Sequence, residues 1–166
     1  MKRNKKGAIE LSFGMIFSII LIIAFLVFAF YVIKKVVEIG DDAKVGIFLD
    51  DLQKDINKMW KSSHGSEELE YSLPTKIQYV CFEDFSVDGK GSNFALYEEL
   101  KMSRVNNENL IFYPYNSSTI HSKEIKNIDI DETTGKDNPL CFANEKGKVR
   151  IVLKKDYNNP LVILTK

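Results

Sequence analysis

The sequence predicts an α+β chain: a long N-terminal helix, first membrane-spanning and then amphipathic, followed by a small antiparallel β-rich head domain. Three observations predict it. Leu11 to Ile33 is a run of 23 residues without one charge. Apolar residues then recur at three- and four-residue steps as far as Trp60. From about Leu69 onward, short β-branched and aromatic stretches alternate with Gly, Pro, Asn and Asp. The implied segments are a basic leader over 1–7, a transmembrane helix over 8–33, an amphipathic extension over 34–61 and a β-rich head over 62–166.

Composition sets the limits. A chain of 166 residues has room for one ordinary domain and an appendage. With 45% hydrophobic and 28% charged residues it is neither a disordered tail nor a fibre nor a disulfide-dense scaffold. Its 23 basic residues balance its 23 acidic ones, without the basic excess of a nucleic-acid binder.

The charge-free run would form a helix of roughly 35 Å, enough to cross a hydrocarbon core of about 30 Å. Ile, Leu, Val and Phe occupy all its sides, and a small domain could not enclose such a helix. A cleaved secretory signal has a shorter apolar region followed by small residues, whereas Tyr31-Val32-Ile33-Lys34-Lys35 offers no such site. The run therefore reads as a lipid-embedded, single-pass anchor. Lys2, Arg3, Lys5 and Lys6 precede it, against Lys34 and Lys35 after it, which places the N-terminus in the cytoplasm and the remainder outside. Only Glu10 among the acids precedes the span, so the chain beyond Ile33 carries a net charge of −3.

Beyond Lys35 one face stays apolar, with Val45, Phe48, Leu49, Leu52, Ile56, Met59 and Trp60 opposed by Asp50, Asp51, Lys54, Asp55, Lys58 and Lys61. Such a stripe can lie on its own head, or pack against sister subunits as well. Ser62-Ser63-His64-Gly65-Ser66 is a credible stop. In the head, Lys76 to Phe82, Leu110 to Tyr113, Leu140 to Phe142 and Lys148 to Lys154 read as strands, and Leu161 to Thr165 as the second arm of a closing hairpin. Ile125 to Ile130 alternates only partly in phase. Phe94 to Met102 reads as a second helix, or as a strand and loop.

The two cysteines share a setting, Val80-Cys81-Phe82 and Leu140-Cys141-Phe142. Outside the cell an even pair can form one bridge, closing a loop of about sixty residues and stabilising by roughly 4 kcal/mol on the chain-entropy model. Two buried free thiols are the alternative. Two cysteines and two distant histidines supply no metal-ligand spacing. The acidic stretch Asp129-Ile130-Asp131-Glu132 with Asp137 departs from a calcium loop, because Thr133 and Thr134 take positions 5 and 6, and it reads as a solvated loop. Neither His64 nor His121 neighbours a nucleophile motif, and no phosphate-binding loop occurs, so neither an enzymatic activity nor a cofactor is expected. Asn116-Ser117-Ser118 is an N-glycosylation triplet in polar surroundings.

Lys5-Lys6-Gly7-Ala8-Ile9-Glu10-Leu11, then a long apolar helix running into an amphipathic one, then a β-rich head, resembles the archaeal type IV pilin-like proteins with their class III signal peptide. The resemblance implies cleavage after Gly7 by a prepilin peptidase, a mature chain starting at Ala8, and Glu10 near the new amino group. It also implies a helix that anchors the subunit and then joins copies of itself, or other pilin-like subunits, in a filament. The acid of the family pattern stands fifth in the mature chain; here Ser12 would be fifth and Glu10 third. At either place an acid in the first helical turn suits the helix dipole. The rival reading is an uncleaved signal-anchored ectodomain that binds an envelope partner without polymerising.

Overall fold

The computed structural model describes residues 13–101 and 108–166. Two units divide at Ile39 and Gly40. Helix α1, Phe13–Trp60, has 48 residues and contributes to both. In the first unit its side chains are exposed all round, as an apolar rod with no stripe must be.

The second unit is the head, and it begins inside the helix. From Val45, α1 buries Val45, Phe48, Leu49, Leu52, Ile56 and Met59 on the head's own core, so the stripe packs on its own domain. Trp60, expected on that face, is 42% exposed. At 100° per residue it lies some 60° from Val45 around the axis, on the edge of the stripe. Gln53, Asp55 and Asn57, at the stripe's margins, hold loops and strands. Gln53 brackets the main chain of Lys126, donating to its carbonyl at 3.2 Å and accepting its N–H at 2.9 Å. Tyr71 donates to Asp55 at 2.9 Å, and Asn127 donates to Asn57 at 2.9 Å.

Among the described residues, seven strands form two antiparallel sheets. β1 (Gly65–Ser72), β6 (Lys148–Lys155) and β7 (Ile163–Thr165) lie in the order β1-β6-β7. β2 (Tyr79–Phe82), β3 (Leu110–Tyr113), β4 (Ser122–Lys123) and β5 (Leu140–Ala143) lie in the order β4-β3-β2-β5. Alternation sorts the side chains. Val149, Ile151 and Leu153 of β6 join Val80, Phe82, Leu110, Phe112, Leu140 and Phe142 in one core with α1. Phe48 sits at its centre, with ring centroids 5.3 Å from Tyr71 and 5.9 Å from Phe112. The opposite face of the four-stranded sheet carries Cys81, Ile111 and Cys141, together with Leu100 of helix α2 (Phe94–Leu100).

Two local expectations change. Strand character, expected from about Leu69 with a first strand at Lys76 to Phe82, begins at Gly65 with β1, inside the proposed stop. Its three glutamates disfavour a strand intrinsically, but pairing with β6 from Gly65↔Lys155 to Ser72↔Lys148 overrides them. Between Ile125 and Ile130 there is no strand. Ile125 and Ile128 are buried individually, Ile128 makes a single bridge to Val162, and helix α3 occupies Ile130–Thr133.

Candidate functional site

The N-terminal part of α1 is the first candidate. It includes an 18-residue window apolar enough to cross a membrane, with none of that window buried. The hydroxyl of Ser18 donates to the Gly14 carbonyl at 2.8 Å, which removes the cost of an unpaired donor in lipid. Tyr31 precedes Lys34 and Lys35, and Lys35 pairs with Glu38 at 3.2 Å one turn on. An amphipathic aromatic followed by charges is the pattern of a span meeting an interface. Gly7, Ala8 and Glu10, the candidate processing and assembly residues, lie outside the described residues, as does the basic leader.

Within the head, the start of its helix is fixed by two acids. Asp41 pairs with Lys76 at 3.2 Å, and Asp42 accepts the Thr119 hydroxyl at 2.6 Å and its N–H at 3.3 Å. The Thr119 loop also holds the glycosylation triplet. Asn116 is exposed in a short 3-10 turn, Tyr115–Ser117. Ser118 is buried, and its hydroxyl donates to the Ile120 carbonyl. The folded head thus offers the amide of the triplet and holds its hydroxyl.

Cys81 and Cys141 are joined by a disulfide between directly opposed residues of β2 and β5, with Cα atoms 4.0 Å apart. Both are buried.

The acidic stretch is a helix start. Asp129 caps α3 by accepting the Glu132 N–H at 3.0 Å, and Asn159 donates to both Asp129 and Glu132. Asp131 shares a hydrogen bond with Asp84 from another loop. That bond, and then the charge of Asp84, push the Asp131 carboxyl up from its ordinary value. Burial works against the charge of Asp84, but hydrogen bonds from Ser86 and Asp131 outweigh it and hold this carboxyl below its ordinary value. Among the described residues, no three His, Cys, Asp or Glu side chains gather as for a metal ion. His64 touches Ser63 and faces Tyr157, while His121 stacks on Tyr115 with centroids 4.5 Å apart.

Sequence reasoning missed a set of amides that bracket distant main chain. Asn138, fully buried, donates to the Asp84 carbonyl at 2.9 Å and accepts its N–H at 3.0 Å. Asn109 does the same for Ile125, at 2.9 and 2.8 Å. Asn144 donates to the carbonyls of Pro74 and Ile77. Asn in a loop is an ordinary turn residue, so nothing in the sequence marks these. Compared with known proteins, the chain matches no family model, no curated protein and no solved structure.

Proposed function

We propose that the chain is a membrane-anchored, pilin-like subunit of an archaeal surface filament or of a related secretion or assembly apparatus. The observation that carries this reading is the division of labour along α1. The helix is apolar and exposed on every side as far as Ile33, then buries a stripe in its own head from Val45. Such a helix needs lipid or other helices around its first half and carries a folded cargo on its second. The Lys-Lys-Gly leader supports processing after Gly7. The head then lies outside the cell, where a disulfide is stable.

Intact-mass and N-terminal peptide spectrometry on protein from its native membrane tests the reading. A mature chain starting at Ala8 is expected. A chain that keeps Lys2 to Gly7 retains four cations at the cytoplasmic face, which would hold the helix in the bilayer. It would replace the filament subunit by an uncleaved, signal-anchored ectodomain with an envelope partner. The place of Glu10, third where the family pattern has the acid fifth, favours that second reading.

A further inference from the structure

Strands β5 and β6 begin as a hairpin and then part company. The turn at Lys146 and Gly147 has both φ positive, 55° and 88°, as a tight two-residue hairpin turn requires. Glu145 and Lys148 exchange main-chain hydrogen bonds at 2.8 and 3.1 Å. Past that bridge β5 pairs with β2 in one sheet, and β6 with β1 and β7 in the other. β7 covers only Val152 to Lys154 of β6, and among the described residues no strand pairs with Val149 to Ile151 on that side. A groove of about 630 Å³ lies in the opening.

The ladder phase shows what β5 presents there. Phe112 donates to the His121 carbonyl and Glu83 to that of Asn109, which turns the main chain of Cys81 toward β3. Asn144 donates to the Gln78 carbonyl, so Val80↔Phe142 and Phe82↔Leu140 are the hydrogen-bonded pairs with β2. The N–H and C=O groups of Cys141 and Ala143 therefore point out of the free edge, and both residues line the groove. Among the described residues, none of these groups has a main-chain partner outside its sheet.

The other sheet edges are guarded. β1 carries three glutamates, β4 is two residues long, and α3 covers β7 by accepting the Leu164 N–H on Thr133. β5 reads Leu-Cys-Phe-Ala, without a charge. Its groove is instead rimmed by Lys146, Lys148, Arg150 and Lys166 against Glu70 and Glu145. Glu70 is occupied by Lys148 at 3.2 Å and Arg150 at 3.1 Å. Among the described residues neither Lys146 nor Lys166 makes a close ion pair, although the charge of Lys166 helps to hold the Asp137 carboxyl below its ordinary value.

We propose that this groove receives an extended acidic peptide segment of a partner protein, which adds a strand to the β5 edge. Main-chain bonds to Cys141 and Ala143 supply the ladder, and carboxylates at alternate positions reach Lys146 and Lys166. The site rests on the head alone and holds whether or not the leader is removed.

The test uses the full chain in detergent micelles and a fluorescent peptide of alternating Val and Glu, followed by anisotropy. Saturable binding is expected. It should weaken roughly tenfold or more in the Lys146→Glu, Lys166→Glu double variant, whose two sites are at the surface. The same loss is expected when alternate peptide nitrogens are methylated, which removes the ladder without altering the protein. Hydrogen exchange at Cys141 and Ala143 should slow with the peptide bound. Absence of binding at millimolar peptide, or binding indifferent to methylation, overturns the proposal. So does equal binding of a Val and Lys peptide. Peptide-free dimers that the double variant abolishes would assign the edge to a second copy of the chain and overturn it as well.

Discussion

One helix serves two regions of this molecule, and the regions hold it by different means. In the head, α1 hides one side: Phe48 is 1% exposed and touches rings from both sheets. In the rod before Gly40 no side is hidden, and Phe25 is 71% exposed. The same residue type is a structural centre in one place and contributes nothing to internal packing in the other. Helical sequence therefore does not tell where stability resides. In the head it comes from the protein itself, and in the rod it depends on whatever surrounds the helix.

The largest expected effect sharpens this contrast with a matched pair. Phe48→Ala should cost the head about 3–5 kcal/mol, measured by denaturant unfolding of the full chain in micelles. Phe25→Ala should leave that transition within about 0.5 kcal/mol of the parent. Equal losses would mean that rod and head unfold as one unit.

A comparable loss is expected from the joint change Cys81→Ala and Cys141→Ala. The bridge spans 60 positions of chain, and removing it should lower head stability by about 4 kcal/mol on the chain-entropy model. Membrane partitioning should be unaffected. A variant that no longer partitions into membranes would show that anchoring depends on the state of the head.

The smallest effect concerns pH. The folded pKa of Asp131 is raised, so its contribution is present below the unfolded pKa and lost as pH rises through the folded one. That of Asp84 is lowered, so its contribution is present above the unfolded pKa and lost as pH falls through the folded one. Asp131→Asn keeps a donor toward Asp84 at every pH. It should remove the decline that Asp131 contributes as pH rises through the range above the ordinary carboxyl value, and keep the loss at lower pH. An unchanged profile across that range would show that the two carboxyls do not share a proton in solution.

Much of the fold is legible in the residues because periodicity reports burial directly. The stripe from Val45 to Met59, the alternation of Val149, Ile151 and Leu153, and the shared setting of the two cysteines each have a local cause. What stayed hidden depends on partners far along the chain. β1 is a strand because β6 lies beside it, in spite of Glu67, Glu68 and Glu70. Ile125 and Ile128 are core residues in a segment that Gln53 and Asn109 hold by its main chain, with no strand to give them phase. The groove beside β5 was hidden for a similar reason. Leu140 to Phe142 and Lys148 to Lys154 read simply as strands, and only the separation of the two sheets opens the space between them.

The buried amide of Asn138 has a further consequence, for chemical ageing. Asparagine deamidates when the next residue's main-chain nitrogen attacks the side-chain amide, and the carboxylate so formed would face the Asp84 carbonyl where a donor now stands. The next residue is Pro139, whose nitrogen bears no hydrogen and cannot close that ring. The bracket that fixes the Asp84 loop is thus shielded by covalent structure from the reaction that would undo it. Asn109 and Asn144, followed by Leu110 and Glu145, have no such shield.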